Sequence, residues 1–234
     1  MAIRLCFPAI TVEKSYLDKE RDKVSGLTPE YFDMLKKEID AMRVRDPEGR
    51  KRSNAGHGWQ SNDGIDTSPI FTKLMREIRR VVAYELMPYL GAVPGTAECI
   101  LHNSWANINY RKGWNAPHLH NGCFYSGVFY IHADGDEGNI RYLDTHSKVV
   151  GNLANLPRMR ESVSYQPKTG DLLLFPSGLM HMVEPNETEK DRYSISFNLE
   201  TNIEGQGLKI KGHNQCMEEN FEFVYEIDEF GRTI

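Results

Sequence analysis

Two spacings of apolar residues divide the chain. From Thr28 to Pro88 they recur every three or four positions, as in helices that bury one stripe. Thr28-Pro29 supplies an N-cap and a first-turn proline, and Tyr31, Leu35, Ile39 and Met42 then fall on one face. Ser68-Pro69 opens a second helix that turns Ile70, Phe71, Leu74, Ile78, Val81 and Val82 inward and stops near Pro88. Its Arg76, Arg79 and Arg80 lie largely on the outer side. From Glu98 the pattern shortens to β-rich runs: AECILHNSWANINY, SGVFYIHA, NIRYLDT, SVSYQP, GDLLLFP, MHMVEP and YSISFNLE. Short strands punctuated by Gly, Pro, Asn and Asp predict a mainly β protein with supporting helices, a sandwich or jelly-roll barrel.

The segment RKRSNAGHGWQSNDGID between the helices is rich in Gly, Asn and Ser and reads as a loop, yet it keeps His57 and Trp59. A linker seldom retains a tryptophan, so packing and a substrate-facing role both stay open for Trp59. The acidic tail interleaves Glu218, Glu219, Glu222 and Glu226 with Phe221, Phe223 and Tyr225, and suits an edge strand or a short docked helix equally. The expected organisation is a single domain. Residues 1–97 give a strand, a loop and two bracing helices, 98–200 the barrel, and 201–234 an acidic extension.

Composition narrows the function classes. At 234 residues, 40% hydrophobic and 26% charged, the chain can bury a full core without staples. A net charge of −5 gives no global field toward duplex nucleic acid, and the run Arg43, Arg45, Arg50, Lys51 and Arg52 reads as a solvated loop. Four scattered cysteines without a CxxC pair argue against a disulfide framework or structural zinc, and suit a reducing compartment. The N-terminal segment lacks a signal-peptide core and no stretch is apolar enough to span a bilayer, so the expected location is cytoplasmic.

Three segments carry candidate chemistry. In APHLHNG, residues at i and i+2 of a strand share a face, so His118 and His120 can chelate one metal. In GDLLLFPSGLMHMVEPN, His181 follows a turn and opens a strand, where it would stand at a barrel mouth. In RYSISFN, Arg192 and Ser194 share a face. An inward arginine is costly unless it meets an anion, and a guanidinium beside a hydroxyl suits either a ligand carboxylate or an internal Asp or Glu.

The order HxH, distal His, then RxS eleven residues later resembles the 2-oxoglutarate and Fe(II)-dependent oxygenases. NYRKGWNAPHLH is similar to the entry of the prolyl-hydroxylase-like branch. WANINY, HLHNGCFYSGVFY, LLLFPS, HxVxPN and RxSISFN together resemble a family of such oxygenases found in bacteria and phages. The resemblance covers Glu98 to Glu200 plus Gly58 to Ser61. It implies a double-stranded β-helix, cupin-like in shape, and host cytoplasm if the chain is phage-encoded. It also implies Fe(II) and 2-oxoglutarate as cofactors, with ascorbate as the assay reductant. Hydroxylation of an unactivated C–H bond in a small-molecule or peptide substrate would release succinate and CO2.

Carried over by position, His118 and His181 hold iron. Arg192 and Ser194 bind the distal carboxylate of 2-oxoglutarate, with Tyr110 and Tyr130 nearby. His120 stands where the family places a carboxylate. It completes a three-histidine face, or Asp144 reaches in as third ligand, or the position is open. Trp59, Trp105, Trp114 and Phe124 are candidates for the substrate wall. A three-histidine cupin dioxygenase without 2-oxoglutarate and a non-catalytic barrel are the rival readings, and a homodimer stays open.

Overall fold

The computed structural model describes residues 2–6, 9–15, 27–90, 97–143 and 162–203, with side chains left out at 2–15, 89, 97–99 and 201–203. Two antiparallel sheets face each other. The larger contains β1 (Ala2–Cys6), β2 (Ala9–Ser15), β4 (Gly58–Gln60), β5 (Ala97–Asn109), β7 (Tyr125–His132), β10 (Asp171–Pro176) and β12 (Arg192–Ile203). Its spatial order is β1-β2-β10-β7-β12-β5-β4. The smaller sheet contains β3 (Asn54–Ala55), β6 (Trp114–His118), β8 (Ile140–Leu143), β9 (Ser162–Tyr165) and β11 (His181–Val183), in the order β3-β6-β11-β8-β9. From β5 to β12 the chain passes from one sheet to the other at every step except β8 to β9, which makes the expected jelly roll.

The first helix, α1 (Pro29–Arg45), begins where expected: the Thr28 side chain accepts from the Tyr31 N–H, and Tyr31, Phe32, Leu35 and Ile39 are buried. The second begins later than expected, because Pro69–Phe71 first form a 3-10 turn. α2 (Thr72–Val81) follows and runs through a π-helical turn (Val82–Leu86) to Met87–Tyr89. No helix among the described residues is long and apolar enough to cross a membrane.

The large sheet is covered on both faces, so its strands read as nearly continuous apolar runs. One face of β5, β7, β10 and β12 presents Ile108, Phe129, Leu172, Leu174, Ile195 and Phe197 to Leu35, Ile39, Leu74 and Ile78 of the helices. The other face looks into the barrel, whose closed end is packed by Val128, Ile140, Tyr142, Leu173 and Phe175. Gly127 permits the tightest contact on the helix side: a Cβ there would stand 2.3 Å from Cζ of Phe197 and 2.9 Å from Cδ2 of Leu174.

The N-terminal region differs from the single strand expected. It forms a hairpin, β1 with β2, and β2 pairs with β10 to extend the large sheet. Among the cysteines whose side chains are described, Cys123 is a free, half-buried thiol. The acidic tail beyond residue 203 lies outside the described residues, as does Asp144.

Candidate metal and cosubstrate site

His118 ends β6 and His181 begins β11, and the two are direct cross-strand partners. His120, just past the strand, completes a cluster whose ligand nitrogens all lie within 4.8 Å of one another. Simple alternation does not put His118 inside. Asn115 and His118, three apart, both face the barrel, because the register against β11 shifts between them. Ala116 and Pro117 form this bulge. Pro117 has no N–H to contribute to a ladder, and the extra residue re-aims the strand.

The rings are set for coordination through Nε2. Nδ1–H of His118 donates to the Ala116 carbonyl at 2.7 Å, and that of His181 to Leu179 at 2.9 Å, which leaves the opposite nitrogen lone pair facing inward. Trp105 stacks on His120 at 5.7 Å between centroids, and Phe175 meets His181 edge-on at 4.7 Å. Burial, then repulsion from neighbouring imidazoles, pushes His181 down to about 3 and His120 to about 4; burial also lowers His118. All three are therefore neutral at pH 7, the form that binds metal. The donor set fits a divalent transition ion.

Arg192 lines the same cavity and is 2% exposed. Its Nη1 donates to the carbonyls of Glu137 at 2.8 Å and Gly138 at 2.7 Å, and it has no ion pair among the described residues. The internal carboxylate partner is therefore not found there. Burial lowers its pKa, against the pull of Tyr130 and Glu137. Ser194 and Tyr130 line the cavity beside it, and neither hydroxyl has a protein partner among the described residues. Burial pushes the Tyr130 phenol far up, so it stays a proton donor. A guanidinium edge and two hydroxyls thus converge on one space, an arrangement that suits a carboxylate.

Other expected positions do not reach this cavity. Tyr110 packs against the helix-side core, so a contact with the cosubstrate is not carried there. Trp59 is a core residue: it is 3% exposed, and its Nε1–H donates to the Asp46 carbonyl at 2.8 Å, pinning the loop to the end of α1. Trp114 lies beside Gly56, and Phe124 is 40% exposed against Tyr125; neither lines the cavity. Of the candidate wall, Trp105 alone faces the metal cluster.

The sequence reading missed a polar belt. Asn107 donates to Ser196 at 3.0 Å, and Asn109–Asn115–Ser53 forms a chain that ties the two sheets together. Its signal was the alternation in WANIN, which puts Trp105, Asn107 and Asn109 on one face and Ala106 and Ile108 on the other. Asn186, fully buried, holds the end of β5 through the Asn109 carbonyl at 3.0 Å and is structural.

The family model described as "Putative 2OG-Fe(II) oxygenase" matches residues 103–198, which include the three histidines and Arg192. Residues 103–198 of this chain are thus similar to the 2OG-Fe(II) oxygenases. Several solved structures share the chain's fold. A prolyl-4-hydroxylase of Pseudomonas putida superposes with a TM-score of 0.53 at 13% identity, covering 81% of this chain and 91% of that one. HygX of Streptomyces hygroscopicus, solved with nickel, 2-oxoglutarate and hygromycin B bound, gives 0.53 at 14% identity, over 81% and 82% of the chains. AviO1 of Streptomyces viridochromogenes gives 0.52 at 16%, over 74% and 86%. No curated protein matches the sequence.

Proposed function

We propose that the chain is an Fe(II)- and 2-oxoglutarate-dependent oxygenase that hydroxylates a C–H bond of a small-molecule or peptide substrate. The observation that carries this reading is Arg192. It is a buried cation without an ion pair among the described residues, in one cavity with three neutral imidazoles. Such a charge is costly unless a ligand supplies the anion.

His118, His120 and His181 would hold the iron, and Asp144 stays the alternative third ligand. The bound iron and 2-oxoglutarate supply the oxidation, with release of succinate and CO2. The protein's own work is placement. Arg192, held by the carbonyls of Glu137 and Gly138, takes the distal carboxylate, and Ser194 and Tyr130 donate to its remaining lone pairs. Stacking of Trp105 on His120 fixes that ring and closes the metal side to water. A cytoplasmic setting, which keeps iron ferrous, suits this chemistry.

Anaerobic addition of Fe(II) and 2-oxoglutarate should give a weak visible metal-to-ligand band. Arg192→Met should bind iron as before yet need at least about tenfold more 2-oxoglutarate, the loss expected for a charge-assisted forked contact. Tight iron binding with no band in the native protein would instead favour a three-histidine dioxygenase that does not use 2-oxoglutarate.

A further inference from the structure

The charges around the cavity do not balance, and the imbalance bears on the substrate. Among the described residues lining it there is no aspartate or glutamate; the only charged side chain is Arg192. His120 stands beside His118 and His181 as a neutral donor where a carboxylate would have supplied one negative charge. Resting on the metal and 2-oxoglutarate reading above, the buried Glu137 carboxylate acts on Arg192 at the far end, together with the distal carboxylate of 2-oxoglutarate. At the histidine end a divalent ion would meet one carboxylate alone, which leaves one positive charge there, shielded from water, where it is strongly felt.

The mouth adds to this excess. Ser53 lines the cavity, and Arg52 next to it is half exposed. Among the described residues Arg52 has one contact to a carboxylate, 3.9 Å to Asp63, and Arg50 holds the same Asp63 oxygen more closely at 3.4 Å. Lys51 between them is exposed.

We infer that the substrate of this site is an anion, a carboxylate-bearing molecule whose negative group sits on the His120 side between the metal and Arg52. A neutral C–H substrate would leave the positive charge uncompensated. A carboxylate offsets it and is drawn in past the basic rim.

Cobalt(II), whose d–d bands are visible, serves as the metal in the full chain, saturated with 2-oxoglutarate at low ionic strength. Acetate and its uncharged isostere acetamide are the probes. Acetate should perturb the bands at a concentration at least about tenfold below acetamide, the scale of one unit charge at a few ångströms in a partly buried site. His120→Asp, which restores a carboxylate, should still bind cobalt but lose about tenfold or more in acetate affinity. Arg52→Gln, a surface change that leaves the fold intact, should weaken acetate about twofold or more. Equal response to the two probes overturns the inference, as does acetate affinity unchanged in both variants. So does a tenfold gain in Asp144→Asn, because the missing carboxylate would then have come from Asp144. Absence of cobalt bands in the native protein is a different failure, one that removes the metal reading itself.

Discussion

Trp59 sets the sharpest expectation for a single side chain. Its indole N–H satisfies the carbonyl at the end of α1, and Gly49 is packed so closely on the ring that a Cβ there would approach Nε1 to 2.7 Å. Trp59→Phe removes the bond and leaves a carbonyl unpaired, a loss of about 1–3 kcal/mol. Urea unfolding should show that loss while the affinity for 2-oxoglutarate stays the same; the opposite pattern would return Trp59 to the substrate wall. At this scale the gathering of the three histidines was readable, because HxH and a distal histidine have few other uses together, and so was the inward arginine. The asparagines of the belt were not. Asn in a β-rich run signals a turn, and only alternation with Ala106 and Ile108 marks Asn107 and Asn109 as inward. Trp59 stayed open between packing and the substrate wall for the converse reason: an aromatic residue has the same appearance in sequence whether it lines a core or a cavity.

Among the elements, β7 is the most constrained. It lies between β10 and β12, and Gly127 pairs with Leu174 on one side and Phe197 on the other. Gly127→Ala drives a methyl into the Phe197 ring and should cost about 1–3 kcal/mol by overpacking. Combining it with Phe197→Leu should recover part of that loss in the same denaturation measurement; no recovery would mean the strain lies in the backbone of β7. The strands were legible from their apolar runs and turn residues. The bulge at Ala116–Pro117 was not, because a register shift exists only relative to a partner, and β11 is more than sixty residues away. The delayed start of α2 has a similar origin: Ser68-Pro69 marks a helix entrance but does not separate a 3-10 turn from an α-helix.

For the whole molecule, the depressed histidines give acid sensitivity a definite direction. In the unfolded chain a histidine binds its proton near pH 6.5, whereas His120 and His181 in the folded chain hold out to about 4 and about 3. Between those values the unfolded state binds more protons, so metal-free stability should be full above about pH 6.5 and fall as the pH drops toward 4 and 3. Chemical denaturation of the metal-free protein across pH 4–7 measures it; His181→Ala should flatten the slope, and an unchanged slope would mean the imidazoles are not buried as neutral groups. The strand order of the sheets was the least legible property, since the β2–β10 pairing joins residues far apart in sequence and β2 carries no motif. One further consequence follows from the pairing of His118 with His181. Their spacing is set by the ladder between β6 and β11, independent of the length of chain that leaves β8 and returns at β9. A change in the number of residues between β8 and β9 would accordingly leave the register of His118 and His181 untouched, so related barrels can differ in length there and still keep these two histidines paired.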